Sequence, residues 1–192
     1  FMRANSFVTL VSNVNGVPFA AHIPLVIETN GDTVKLTGHV AKSNNHWQAF
    51  GQGETLAVFT GPHAYVSPTL YEEKSSVPTW NYIAVHAYGV AHMIEITQRE
   101  TLERMMDEMI DSYDPSYKEQ WHSLSDLYRT SMMKGIVAFE MTVTRLEGQY
   151  KLSQNRSGVD QHNVAGILSK SSDPTIAETG VAMKKHLETK NV

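Results

Sequence analysis

The chain has 192 residues, a formal net charge of −4 and no cysteine, with 41% hydrophobic and 19% charged residues. The apolar fraction is enough for a folded core, whereas the missing cysteines exclude disulfides, cysteine-ligated zinc and a thiol nucleophile. No window approaches the roughly 20 apolar residues of a membrane helix, and a mildly acidic chain suits nucleic acid poorly because phosphate contacts draw on Lys and Arg. We therefore expect a cytoplasmic protein without a membrane segment, and the sequence does not support direct DNA binding.

The first half of the chain has the pattern of short strands separated by turn residues. The predicted strands are Ser6–Ser12, Val17–Glu28, Thr33–Val40, Glu54–Gly61, His63–Ser67 and Tyr82–Ile96. Asn15-Gly16 and Asn30-Gly31 are predicted turns, the second a type I′ hairpin turn, whose two central residues both need a positive φ. A short helix is predicted over Ser43–Phe50, with the Ser43 hydroxyl accepting a free backbone N–H as the N-cap.

The second half is predicted to be helical apart from one long strand. Thr97 and Glu100 form a T-x-x-E capping box that opens a helix. The buried stripe of this helix would consist of Leu102, Met105, Met106, Met109, Ile110 and Tyr113. Asp114-Pro115 predicts a second helix that ends near Gly135, because proline is tolerated at the first helical position. The remaining predicted elements are a strand over Ile136–Leu146 and helices over Val159–Ser169 and Pro174–Leu187.

This order of elements predicts an α+β fold that is mainly β. Hairpin connections imply antiparallel pairing, and six or seven such strands in a small domain usually close as a barrel or a sandwich. We predict a single domain over residues 1–192. Its strands would lie in 1–96 and 135–150, with a helical insert over 97–134 and a C-terminal helical extension over 151–192.

No residue pattern identifies an enzyme class. Six of the nine histidines lie between residues 22 and 92. No histidine pair has the H-x-x-x-H spacing of a helical zinc site, and no carboxylates cluster beside them, so no metal site is predicted. A nucleophile elbow, a P-loop and a dinucleotide-binding glycine motif are also missing.

The segment Gly38–Trp47 (GHVAKSNNHW) has the residues of an anion site. A strand ends there, and Lys42 and Ser43 lead into the start of a helix, which combines a cation, a hydroxyl and free backbone N–H groups. His39 and Asn44 could add hydrogen-bond donors. A plain strand-to-helix turn with a capping serine explains the same residues.

Two further segments are rich in aromatic residues, and a third is polar and compact. The first two are Gly61–Tyr71 (GPHAYVSPTLY) and Pro78–Gly89 (PTWNYIAVHAYG). Aromatic rings with neutral polar groups at strand ends suit a flat heteroaromatic ligand, a dimer interface or a barrel core. The polar segment Tyr150–Arg156 (YKLSQNR) is either a loop or, through Lys151 and Arg156, part of an anion site.

Taken together, these segments resemble the PaiB family, which is described as FMN-binding negative transcriptional regulators. The resemblance rests on a set of segments in the same order along the chain: FVTLVS, PFAAHIPL, TGHVAKSNNHW, FTGPHAYVSPTLY, VPTWNYIAVHAYG, KGIVAFEM and YKLSQNR. It implies an antiparallel FMN-binding split β-barrel of the flavin-reductase and pyridoxamine-oxidase type. It also implies a homodimer with FMN at the subunit interface.

The same resemblance implies which residues contact the cofactor. The phosphate would be held in the stretch His39–Asn44, by His39, Lys42, Ser43 and Asn44. Trp80 and Asn81 would flank the flavin, and the YKLSQNR loop, with Lys151 and Arg156, would close the site.

Three functions follow as hypotheses. The first is a dimeric, bacterial FMN-binding protein with a regulatory role. The second is a flavin-dependent oxidoreductase acting on a small molecule, or a heme-handling split barrel, with His63 or His86 as a proton donor because the pKa of histidine lies near neutrality. The third is a DNA-binding repressor, which the net negative charge disfavours, so any regulatory effect would be indirect.

Overall fold

The computed structural model describes residues 1–73 and 75–190. Its seven strands are β1 (Phe7–Val14), β2 (Val17–Pro24), β3 (Val26–Asn30), β4 (Thr33–Ala41), β5 (Thr55–Val66), β6 (Thr79–Ile94) and β7 (Ile136–Lys151). Its α-helices are α1 (Arg99–Tyr113), α2 (Lys118–Ser123), α3 (Asp126–Met133), α4 (Gly158–Leu168) and α5 (Pro174–Lys190). Single turns of 3-10 helix occur at Met2–Asn5, Asn45–Ala49, Pro68–Leu70 and Pro115–Tyr117.

The strands form one sheet in the order β2-β1-β5-β6-β7-β4-β3. The pairs β1–β2, β1–β5, β3–β4 and β4–β7 are all antiparallel. An antiparallel sheet with helices grouped in an insert and a C-terminal extension confirms the predicted α+β class. In the part of the chain that the structure covers, no helix combines the length and apolarity needed to cross a membrane.

The two predicted turns differ in type. Asn15 and Gly16 have φ values of 52° and 83°, as a type I′ turn requires. At the second turn Asn30 pairs with Thr33, so the central residues are Gly31 and Asp32. Of these only Gly31 has a positive φ, at 57°. The type I′ prediction at Asn30-Gly31 is therefore wrong, and glycine in the first central position is typical of type II′.

Two strand predictions for segments that contain a proline were wrong, in opposite directions. Pro24 is expected to mark an edge, bend or bulge within one strand. The single strand predicted over Val17–Glu28 is divided at Leu25, which is buried and donates its N–H to Ser6 O at 2.9 Å. The two strands predicted around Pro62 are one continuous β5. A proline is tolerated in a strand where no neighbour needs its N–H, and β1 pairs with β5 only over Leu56–Val58.

The helical insert begins and breaks at other residues than predicted. The T-x-x-E box does not cap α1, because Gln98 is the N-cap residue and makes no side-chain cap hydrogen bond. The helix predicted from Asp114-Pro115 is broken, since Ser125 has an extended backbone and its hydroxyl caps α3 through Tyr128 N. The predicted apolar stripe of α1 is confirmed at its centre, where Leu102, Met105, Met109 and Ile110 are buried.

The chain divides into two compact units, the first formed by residues 1–59 and 86–147. In this first unit the insert covers one region of the sheet. Its apolar cluster comprises Val26, Ile94, Leu102, Met105, Met109, Met133 and Ala138. Burial of these side chains stabilises the insert on β3, β6 and β7, because each buried Leu, Ile or Met contributes roughly 1.5–3 kcal/mol.

The second unit is formed by residues 60–85 and 148–192, of which 60–73, 75–85 and 148–190 are described. Its core comprises Ala64, Val66, Tyr71, Ile83, Leu152, Val164, Ala165, Leu168 and Met183. Four of these side chains come from α4 and α5, so the C-terminal helices are part of this core. The single-domain prediction over 1–192 stays a prediction.

Candidate functional site

The turn after β4, in the first unit, carries the residues predicted to bind an anion. Lys42 donates its backbone N–H to Gly135 O at 2.9 Å, and its carbonyl accepts from Trp47 Nε1 at 3.2 Å. The side chains of Lys42 and Ser43 are exposed. Within residues 1–73 and 75–190 neither side chain has a hydrogen-bond or ion-pair partner. The turn therefore presents a free ammonium group and a free hydroxyl.

The predicted N-cap is wrong. Asn44, not Ser43, is the cap, because its Oδ1 accepts the N–H of His46 at 3.0 Å. The helix that follows is a single 3-10 turn, Asn45–Ala49. So short a helix has little macrodipole, so an anion at this turn would have to be held by the Lys42 and Ser43 side chains.

His39 is half-buried on β4, opposite Ala138 of β7. Its buried Nδ1 has no hydrogen-bond partner in the described structure. Burial lowers the pKa of His39 because the charged imidazolium is less well solvated there. At neutral pH His39 is thus a neutral donor or acceptor rather than a cation.

A cavity of about 280 Å³ lies beside Lys42 in the same unit. Its lining residues are Lys42, Trp47, Met93, Ile94, Glu95, Ile96, Leu102, Met133, Lys134, Ile136, Val137 and Ala138. The wall is mainly apolar and carries two lysines and one glutamate. Lys134 and Glu95 were not predicted as site residues. Lys134 is the first residue of the KGIVAFEM segment, and no motif in that segment points to a binding role.

The second unit carries a separate aromatic cluster. The Trp80 ring lies 6.2 Å from the His63 ring and 6.0 Å from the Tyr65 ring, measured between centroids. Trp80 is 54% exposed and Tyr65 is 50% exposed, which is unusual for rings of this size. His63 is also exposed, and its Nδ1 lies 3.4 Å from Gly61 O. These three rings form an open surface that could receive a flat ligand or another protein.

Asn81 follows Trp80 along β6 but points to the opposite face of the strand. It is completely buried, and its Nδ2 donates to Ser153 Oγ at 2.9 Å and contacts Met183 Sδ at 3.4 Å. The Ser153 hydroxyl in turn donates to Asn81 Oδ1 at 3.2 Å. Asn81 therefore holds Ser153, which has a positive φ of 61°, and its amide is not presented to a surface ligand.

The two predicted cations of the second unit have different surroundings. Lys151 is exposed, and its Nζ donates to Thr79 Oγ1 at 2.7 Å. The Arg156 guanidinium lies 4.2 Å from the centroid of the buried Tyr71 ring, and Nη1 donates to Ser76 Oγ at 3.3 Å. Lys151 is accessible to an anion, whereas Arg156 holds the segment that contains Tyr71 and Ser76.

His86, the other predicted proton donor, belongs to the first unit. It is half-buried on β6, and its ring lies 6.4 Å from the Tyr88 ring. Among the residues that the structure covers, no three His, Asp or Glu side chains come together as a metal site would need.

Sequence patterns did not distinguish His46, which is the most buried histidine. It is completely buried, and its Nε2 lies 2.9 Å from Ser12 Oγ, which in turn lies 2.9 Å from Thr55 Oγ1. Burial lowers the pKa of His46. Since Phe19 and Phe50 contact the ring, this network is part of the core of the first unit.

Comparison with known proteins identifies the family to which this chain is similar. Residues 1–145 match the family model described as "Putative FMN-binding domain". The chain is 37% identical over 191 residues to the Bacillus subtilis protein named "Protease synthase and sporulation protein PAI 2", an alignment that covers 98% of this chain and 90% of that protein.

Solved structures show the shared fold. The FAD and heme binding protein from Mycobacterium smegmatis has a TM-score of 0.56 at 14% identity, with 86% of this chain and 74% of that chain covered. The flavocytochrome Anf3 from Azotobacter vinelandii has a TM-score of 0.54 at 16% identity, with 82% of this chain covered. This chain spans 64% of the flavocytochrome. These likenesses confirm the predicted split barrel.

Proposed function

Because this chain belongs to the PaiB family of FMN-binding proteins, we propose that it is a homodimer with FMN at the subunit interface and a regulatory role. The family match confirms the predicted family and the predicted FMN cofactor. Bound FMN supplies redox chemistry, while the protein supplies binding and orientation. The regulatory role, the cytoplasmic location and the bacterial source remain predictions.

The observation that carries the proposal is that Lys42, on the wall of a mainly apolar cavity, has no side-chain partner among the described residues. A free ammonium and the neighbouring Ser43 hydroxyl match the charge and the acceptor oxygens of a phosphate monoester. Asn44 uses only its Oδ1 in the cap, so its amide N–H groups stay available. We assign the FMN phosphate to Lys42 and Ser43, with Asn44 and the neutral His39 as further donors.

The aromatic cluster of the second unit is the proposed contact for an isoalloxazine ring. An exposed Trp80 ring offers a face on which a flat heteroaromatic ligand stacks. Lys151 is an accessible cation on β7 in this unit. Asn81 and Arg156 act by holding Ser153 and Tyr71 in place.

An uncovered strand supports the homodimer. All residues of β7 from Thr144 to Lys151 are exposed, although successive side chains of a strand point to opposite faces. Leu146 is 51% exposed within this stretch. A strand end that is uncovered on both faces over eight residues leaves a surface that a second copy could cover. Light scattering during gel filtration should give twice the mass of the 21.5 kDa chain, and a monomer would contradict this part of the proposal.

The second candidate function is a flavin-dependent oxidoreductase or a heme-handling protein. The exposed His63 imidazole beside the Trp80 ring favours it, because an accessible histidine can move a proton or ligate a metal near neutral pH. Reduction of the bound FMN by NAD(P)H no faster than that of free FMN would exclude the oxidoreductase. A missing Soret band after heme titration would exclude heme handling.

Cofactor binding is tested by the visible spectrum of the purified protein and by titration with FMN. We expect a flavin spectrum and, for Lys42→Ala, an FMN Kd raised by roughly tenfold, because a charge-assisted contact is worth about 1.4 kcal/mol or more. Lys170→Ala, which removes an exposed lysine of the second unit, is the control and should leave the Kd unchanged. A wild-type protein that binds no FMN would overturn the proposal.

A further inference from the structure

We propose that Lys134, which follows the last helix of the insert, is a second phosphate-binding residue of the FMN site. The insert would then take part directly in cofactor binding. The inference rests on the proposed function, since it concerns the ligand assigned to Lys42.

The first unit has two lysines that make ion pairs and two that do not make one within the described structure. Lys35 makes an ion pair with Glu28 at 3.4 Å, and Lys118 makes one with Asp111 at 2.6 Å. Lys42 and Lys134, the other two, have no carboxylate within ion-pair distance in the described structure. Both line the same cavity. A ligand with a strongly anionic group would suit this cavity wall, because it could form a charge-assisted hydrogen bond with each of these two ammonium groups.

The rest of the lining would strengthen the attraction between the two lysines and a phosphate. Glu95 is the one acidic residue in the cavity wall, so the formal charge of the wall is positive. Apart from Trp47, the other lining residues are aliphatic or Met side chains. Low-dielectric walls strengthen the attraction between an ammonium group and an anion.

The backbone of Lys134 is held in place before any ligand binds. Its N–H closes α3 by donating to Thr130 O and Met132 O, and the adjacent Met133 is 3% exposed in the core of the insert. The hydrogen bond from Lys42 N to Gly135 O joins the two lysine-bearing segments. A cation with a fixed backbone loses less entropy on binding, which favours affinity.

The test compares FMN with riboflavin, which has the same ring system but no phosphate. Lys134→Gln should raise the FMN Kd by roughly fivefold to tenfold and leave the riboflavin Kd unchanged, because only FMN carries the anion. Lys134→Arg should largely restore FMN binding. Glu95→Gln should tighten FMN binding by roughly twofold or more, because it removes a like charge. Lys170→Gln is the matched control that removes the same charge elsewhere.

Each outcome separates this inference from the proposed function. If wild-type protein binds FMN and Lys134→Gln binds it equally well, Lys134 is not a phosphate contact, although FMN binding stands. If the variant weakens riboflavin and FMN equally, Lys134 supports the fold of the cavity, and the inference fails. If the wild-type protein binds neither flavin, the proposed function itself is wrong.

Discussion

Gly180 in α5 offers a direct test of the helix packing in the second unit. A Cβ added there would lie 2.2 Å from Ser169 N and 2.7 Å from Ser169 Cα, whereas ordinary contacts begin at 3.4 Å. Both obstacles are backbone atoms that cannot rotate away, so α4 and α5 would have to separate by about 1 Å. Overpacking of this kind costs about 1–3 kcal/mol.

Gly180→Ala also has a stabilising contribution, because alanine is favoured over glycine in a helix by about 1 kcal/mol. We expect a net destabilisation of roughly 1–2 kcal/mol, measured as a shift of the urea midpoint followed by circular dichroism. Gly166→Ala in α4 is the matched control, because a Cβ there meets no atom of the described residues within 4 Å. The control should stabilise the protein by up to about 1 kcal/mol. If Gly180→Ala is as stable as Gly166→Ala, the close approach of the two helices is wrong.

Two predictions concern the dependence of stability on pH. Burial and the nearby Glu28 raise the pKa of Glu108; the folded state then binds more protons than the unfolded state, so stability falls as pH rises above the ordinary value of 4.5. At pH 7 the urea midpoint of Glu108→Gln should therefore be higher than that of the wild type, and the difference should vanish near pH 4. A midpoint below that of the wild type at pH 7 would contradict this prediction. Burial lowers the pKa of His46, so stability should fall as pH drops below 6.5. In His46→Leu the urea midpoint should therefore change less between pH 7 and pH 5 than in the wild type. Some change should remain, because the pKa of His39 is also lowered. A pH dependence equal to that of the wild type would contradict the lowered pKa of His46.

The positions of strands and helices were largely predictable from the spacing of apolar residues, because this spacing follows the face of each element that is buried. The insert shows this, since the spacing of Leu102, Met105 and Met109 predicts the face that is buried. Caps were less predictable. Ser43 and Asn44 are adjacent and are both good N-cap residues, and only the backbone at the end of β4 decides that Asn44 takes the role.

Side-chain exposure at the candidate site was not predictable from local sequence. Trp80 and Asn81 are neighbours in a strand, so their side chains point to opposite faces, but the local sequence does not tell which face is buried. Asn81 is inside because Ser153 and Met183, which are distant in the chain, contact it there. The role of Lys134 has the same origin, because its place on the cavity wall depends on the packing of the insert.

The C-terminal helices carry a practical consequence for shortening this protein. The FMN-binding family match ends at residue 145, inside β7, which continues to Lys151. A chain cut at that point would lose part of a strand and would uncover Val66 and Ile83, which α4 and α5 shield from water. Exposed apolar strands promote aggregation, so a truncated protein that precipitates would report on the loss of these helices and not on cofactor affinity.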